Sequence, residues 1–246
     1  MPFSPCIIIP CYNHAAQFEK FLPQLLPLPC PLILVDDGSA PEDAARLAKI
    51  SAEHGLIFCA NASNLGKGEA LRRGLREARA RGFSHALQCD ADGQHEPEAI
   101  SRFFEIARKR PEAYVCGDPV YDSSAPRARV YGRKITDFWV ALETLSLRMG
   151  DALCGFRVYP LARVAPLLER EIWGRGMGFD IRILVEIFWS GTPLVFAPLR
   201  VIYPAGGVSH FHAMRGNVDV SLTHAALFCR SPLHVFANLR GKIFRA

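Results

Sequence analysis

Short, almost continuously apolar runs punctuate the first half of the chain at Pro5 to Ile9, Pro31 to Val35, Leu56 to Ala60 and His85 to Cys89. This is the pattern of strands buried on both faces of a parallel sheet. Between them, Ala15 to Leu26, Pro41 to His54 and Lys67 to Arg81 read as helices, most clearly the last, where Ala70, Leu71, Leu75 and Ala78 recur at helical spacing. A further helix is predicted from about Pro97, with proline in its first turn and Ile100, Phe103, Phe104 and Ala107 on one face. Strands alternating with helices predict βαβ units and a mostly parallel sheet. The second half is less regular. Its pattern predicts a helix from about Val130 to Arg148, a loop at Asp151 to Phe156, a helix near Phe179 to Trp189, a strand near Val195 to Tyr203 and a helix near Val218 to Phe228.

Length and composition narrow the class without changing that picture. A chain of 246 residues, half of them hydrophobic and 22% charged, is large enough for one substantial core and has the profile of a soluble globular protein. The longest apolar stretch, Ile183 to Gly207, is broken by Glu186, Pro193, Pro198 and Arg200, and Ile7-Ile8-Ile9 stops at Pro10 with no basic region before it. The expectation is a cytoplasmic protein with no membrane-spanning helix and no leader. Eight scattered cysteines without a CxxC pair are expected to be reduced and mostly buried. The formal net charge of +5 is mild, but cations cluster at Arg127-Ala128-Arg129, at Arg133-Lys134 and from Arg240 to Arg245. Such clusters meet the phosphates of a lipid or nucleotide, or form a solvated basic face. They are not interleaved with an aromatic recognition motif, so no nucleic-acid partner is expected.

The polar residues fall where chemistry would use them. Pro10 to Asn13, Asp36 to Ser39 and Asp90 to Gln94 each follow the end of a strand, the place where ligands bind in open α/β sheets. In Asp90-Ala91-Asp92-Gly93-Gln94-His95, two carboxylates and an amide oxygen offer the oxygen ligands that Mg²⁺ or Mn²⁺ prefers, or else cap and solvate a loop. In Val35-Asp36-Asp37-Gly38-Ser39, a carboxylate can accept hydrogen bonds from a base or ribose, or can close an ordinary turn before Pro41. Asn64-Leu65-Gly66-Lys67-Gly68 lacks the spacings of the known phosphate-binding glycine loops, yet a lysine at a helix start can reach a nucleotide.

In this order and spacing, the four motifs resemble the family 2 glycosyltransferases of the GT-A fold, in particular the dolichyl-phosphate mannose and polyprenyl-phosphate sugar synthases. His14 stands where that branch carries glutamate, and Cys154 replaces the usual serine in Asp151-Ala152-Leu153-Cys154-Gly155-Phe156-Arg157. The resemblance implies an α/β GT-A domain over residues 1–246, with a nucleotide-sugar half (1–117) and an acceptor half (118–246). It implies inverting, metal-dependent transfer from a nucleotide-diphosphate sugar to an acceptor such as a lipid or lipid phosphate. A catalytically silent nucleotide-binding scaffold is the alternative. Nucleotidyltransferases are disfavoured, because Pro5 to Phe18 lacks their glycine-rich loop.

By the same resemblance, Pro10, Tyr12, Asn13, Asp36, Asp37 and Lys67 line the nucleoside pocket, Asp37 being preferred within its pair. Asp90, Asp92 and Gln94 hold Mg²⁺ or Mn²⁺ and the diphosphate, with His210 or His212 either completing the site or serving structure. Arg129, Arg133, Arg148, Asp151 and Arg157 handle the acceptor phosphate. Asp180, in Gly176-Met177-Gly178-Phe179-Asp180, is the general base for a hydroxyl acceptor or else a helix cap; a lipid phosphate needs no base. Near the C-terminus, Phe228, Leu233, Val235, Phe236, Leu239, Ile243 and Phe244 alternate with Arg230, Arg240, Lys242 and Arg245. That segment either lies in a membrane interface, making the protein peripheral on a cytoplasmic membrane face, or packs on the sheet.

Overall fold

The computed structural model describes residues 2–91, 97–121, 127–170, 176–201 and 213–243. In chain order its elements are β1 (Pro5–Cys11), α1 (Ala15–Leu25), β2 (Leu32–Asp36), α2 (Pro41–His54), β3 (Ile57–Ala60), α3 (Lys67–Ala80), β4 (His85–Gln88) and α4 (Pro97–Lys109). There follow β5 (Tyr114–Val120), α5 (Arg127–Thr144), β6 (Arg157–Pro160), α6 (Leu161–Leu168), α7 (Gly178–Trp189), β7 (Leu194–Arg200) and α8 (Ala213–Ile243). One seven-stranded sheet in the order β3-β2-β1-β4-β6-β5-β7 carries strands from both halves of the chain. All pairings are parallel except those of β6, which runs antiparallel to β4 and β5.

The predicted α/β architecture is therefore present, with helices on both faces of the sheet. One core layer packs α3, α6 and α7 against the sheet through Leu71, Leu75, Val164, Ile181 and Val185; the other packs α1, α2 and α4 through Phe18, Leu22, Leu47, Ile100 and Phe103. β1 runs through Pro10, where the sequence pattern predicts its end. The Ile8 carbonyl accepts from Cys89 N on the β4 side, so the Pro10 nitrogen faces that side too. Pairing of β1 with β4 ends at Ile8↔Gln88, and a missing N–H beyond that point leaves no ladder bond unmade.

α5 stops at Thr144, short of the predicted Arg148, because Leu145 adopts the left-handed conformation at φ 49°. In a side-chain-bearing residue that conformation costs roughly 1–2 kcal/mol. α8 is longer than predicted and continues through Pro232. β5, β6 and α6 were not predicted. Among the described residues, no helix is long and apolar enough to cross a membrane. All eight cysteines are free thiols and six are buried, Cys30 and Cys229 being the more accessible ones.

Candidate active site

The sheet brings the three strand-end loops together. Cys11 at the end of β1 is the register partner of Asp36 at the end of β2, and Gln88 at the end of β4 pairs with Ile8 of β1. The Asp36 carboxylate folds back on its own turn and accepts the Ser39 N–H at 3.0 Å. Asn13, at φ 52°, takes the Ser39 hydroxyl on its N–H and accepts the Ala40 N–H on Oδ1 at 2.8 Å, so its side chain buttresses the start of α2. Tyr12 beside it is exposed, and Pro10 is half-buried.

Asp37, preferred for the nucleoside, is buried and spends both oxygens on the chain itself. Its Oδ1 accepts from Asn61 Nδ2 (2.8 Å) and the Leu65 N–H (3.1 Å), and its Oδ2 accepts from the Gly66 N–H (2.8 Å). The carboxylate thereby shapes the loop that delivers Lys67. Gly38, at φ 71°, lets that loop close, since a Cβ there would sit 2.3 Å from the Ser63 carbonyl carbon.

Lys67 opens α3 and reaches across the strand ends. Its Nζ lies 2.8 and 2.9 Å from the two oxygens of Asp90 and 3.7 Å from Asp180 Oδ2. Asp180 sits in the first turn of α7, whose Gly178 N–H is capped by Asp219. Beneath the three charges, Gln88 is fully buried. Its Oε1 accepts from the Tyr159 hydroxyl at 2.7 Å, which turns Nε2 toward Asp180 Oδ1 at 3.4 Å. Pattern reading missed Gln88; the signal was one amide inside an otherwise apolar strand.

The segment from Asp151 to Arg157 links this cluster to a second one. Gly155 forms a wall of the first: a Cβ there would lie 2.8 Å from Lys67 Nζ, 2.9 Å from Asp90 Oδ2 and 3.2 Å from Gln88 Nε2. Four residues earlier, Asp151 binds Arg133 through both oxygens at 2.6 Å, accepts the Tyr121 hydroxyl at 3.2 Å and caps the Leu153 N–H. The Arg133 guanidinium also lies over the Tyr121 ring. Burial works against the charge of Arg133, but Asp151, Tyr121 and Cys154 together outweigh it and hold the pKa above its ordinary value. Burial first, and then Asp151, push the nearby Asp137 carboxyl up to about 6. Arg148 is exposed.

Arg157 corrects the sequence reading. It is completely buried, and its donors go to the Cys154, Asp180 and Ala152 carbonyls at 2.6 Å and to the Tyr114 hydroxyl at 3.1 Å. A guanidinium so enclosed cannot meet a substrate phosphate; it is a strut joining the 152–154 loop to the start of α7. Asp92, Gln94 and His210 lie outside the described residues, as does the side chain of Arg129.

If Lys67 and Asp90 meet a nucleotide, as the sequence resemblance implies, Gly155→Ala should weaken its binding about tenfold, a change of roughly 1.4 kcal/mol. The added methyl meets the ends of side chains rather than backbone, so the thermal midpoint should hardly move. Nucleotide titration beside a melting curve checks both.

Glycosyl transferase family 2 matches residues 6–161 of the chain. Undecaprenyl-phosphate mannosyltransferase of Micrococcus luteus is 24% identical over 239 residues, covering 91% of this chain and 94% of that protein. Polyprenol monophosphomannose synthase of Mycolicibacterium smegmatis is 26% identical over 214 residues, covering 82% and 79%. The crystal structure of glucosyl-3-phosphoglycerate synthase from Mycobacterium tuberculosis, in complex with Mn²⁺, uridine diphosphate and glucosyl-3-phosphoglycerate, has a TM-score of 0.69 at 16% identity, over 92% of this chain and 80% of that one. The last likeness concerns the fold.

Proposed function

The chain belongs to glycosyl transferase family 2, and on that premise we propose that this nucleotide-sugar transferase is inverting and metal-dependent, with a polyprenyl phosphate as its acceptor. The names of the two mannosyl-transferring relatives support the acceptor. The observation that carries the donor site is the convergence of Lys67, Asp90 and Asp180 on one point beyond the strand ends, against a wall with no side chain at Gly155.

Among the described residues Asp90 and Asp180 offer two carboxylates but no group of three ligands, so a divalent ion here would take its further ligands from outside them. Asp90 and Asp180 already direct carboxylate oxygens at one cation, the Lys67 ammonium, and carboxylate oxygens are what Mg²⁺ and Mn²⁺ take. Asp90 would hold the ion together with Asp92, Gln94 and His210. When bound, it supplies positive charge against the departing diphosphate.

The acceptor oxygen forms its bond to the anomeric carbon as the bond from that carbon to the diphosphate oxygen breaks, its electron pair leaving with the nucleotide. Lys67 places an ammonium beside the phosphates at the opening of α3, where the N-terminal helix dipole adds to its charge. Asp180 faces the same point and takes the proton when the acceptor is a hydroxyl; an anionic phosphate brings none to remove. Arg133, held by Asp151 and Tyr121, marks the acceptor end.

The test is product analysis. Labelled UDP-sugars and GDP-sugars are offered with undecaprenyl phosphate, in Mn²⁺ and in chelator, and the anomeric configuration of the product is read by NMR. The reading expects a lipid-linked sugar of inverted configuration from one donor class and none in chelator. A retained configuration, or undiminished transfer in chelator, would refute it.

A further inference from the structure

We infer that the outward face of α5, extended by α8, docks on the surface of an anionic lipid bilayer. Tyr131, Ile135, Phe138, Leu142 and Leu145 recur along α5 and its end at steps of four, three, four and three residues, which places them on one face. That face is turned to solvent: Tyr131 is 66% exposed, Ile135 62%, Phe138 64% and Leu145 65%. The inward face of the same helix is mixed, with Thr136, Glu143 and Thr144 buried alongside Val140. The larger apolar side chains of α5 thus lie on its solvent side, whereas an apolar stripe ordinarily faces the core. Trp139 continues the face onto α8, meeting Phe228 edge-on at 6.2 Å, and Val218 and Leu222 are exposed farther along that helix. An apolar surface this extended marks an interaction site.

The charges select the occupant. The two helices contain three acidic residues, and each is engaged inward: Asp137 accepts the Ala152 N–H, Glu143 binds His224 Nδ1, and Asp219 caps Gly178. Among the described residues, the exposed charges on and beside α5 are cationic, Lys134 and Arg148. A second copy joined about a two-fold axis would bring these cations together with no exposed carboxylate among the described residues of the face to pair with them. An anionic bilayer supplies headgroups for the cations and acyl chains for the apolar stripe. The inner side of α5 also carries Arg133 to Asp151, so a docked helix sets the acceptor end of the site beside the lipid surface. This last step rests on the lipid-phosphate reading above, whereas the docking surface stands on its own exposure and charge.

The experiment is flotation of the full chain with phosphatidylcholine vesicles and with vesicles containing phosphatidylglycerol, alongside sedimentation velocity. The variants are Ile135→Ser/Phe138→Ser/Leu142→Ser and, separately, Lys134→Glu, each also titrated with UDP and GDP as a check of the donor site. The chain is expected to float with the anionic vesicles. The triple variant should lose at least roughly tenfold in vesicle affinity, Lys134→Glu should lose less, and both should keep nucleotide binding. No flotation with anionic vesicles, or equal flotation of the triple variant, would overturn the proposal. So would a dimer that the triple variant converts to monomer, which would assign the face to self-association. Flotation by a chain that binds neither nucleotide would uphold the docking surface and remove the transferase reading instead.

Discussion

Asp90→Asn is expected to lower sugar transfer by about three orders of magnitude while leaving the protein folded. The substitution keeps the size of the side chain and removes a charge that lies 2.8 Å from Lys67 Nζ, leaving Asp180 at 3.7 Å as the other described carboxylate beside it. Loss of one electrostatic stabiliser of a developing charge costs roughly 10²–10³ in rate, and loss of an ion held there adds to it. The effect on stability should be small. The side chains of Lys67 and Asp90 are 32% and 28% exposed, and ion pairs this open to water are worth about 1 kcal/mol or less. Steady-state kinetics beside thermal melting separate the two effects, and a variant within tenfold of the parent would remove Asp90 from the chemistry.

Arg157→Leu should fail in the opposite way, losing about 3–5 kcal/mol of stability, the usual result of breaking a buried, fully hydrogen-bonded charge. The Cys154, Ala152 and Asp180 carbonyls and the Tyr114 hydroxyl would all lose a charged donor inside the protein. At roughly 2–4 °C per kcal/mol for a chain of this size, the midpoint should fall by about 6–20 °C. Arg157→Lys should rescue little, because one ammonium cannot reach all four partners that the planar guanidinium spans. A leucine variant that melts like the parent yet is inactive would restore Arg157 to the substrate.

The contrast between these two residues shows what the sequence made legible. The first four strand-helix units could be read because parallel strands buried on both faces are bare apolar runs, and their helices carry one apolar side; α2 was predicted at its observed bounds, Pro41–His54. Placing a polar loop at the end of a strand located Asp90, and the lysine at a helix start located Lys67, and the structure brings the two to 2.8 Å. The second half was harder for physical reasons. β5 contains Gly117, Asp118 and Pro119, residues depleted in strands, and tolerates them beyond Cys116, where pairing with β6 ends. β6 is four residues long and begins with a buried arginine, which local pattern reads as a surface residue. Asp180 was placed by resemblance; that it faces Lys67 depends on α7 folding back against α3, a contact between positions 67 and 180 that no local pattern carries. The stripe on α5 was helical in the sequence, but its outward orientation is set by what packs on the other side.

The donor site is the central claim, and calorimetric titration of the parent chain and Asp90→Asn with UDP and GDP, with and without Mn²⁺, tests it most directly. The account predicts that one nucleotide binds the parent in Mn²⁺, that removing the ion weakens it strongly, and that the variant loses the metal-dependent part while remaining folded. Binding of neither nucleotide by a folded parent chain, or equal binding by parent and variant in Mn²⁺, would contradict it.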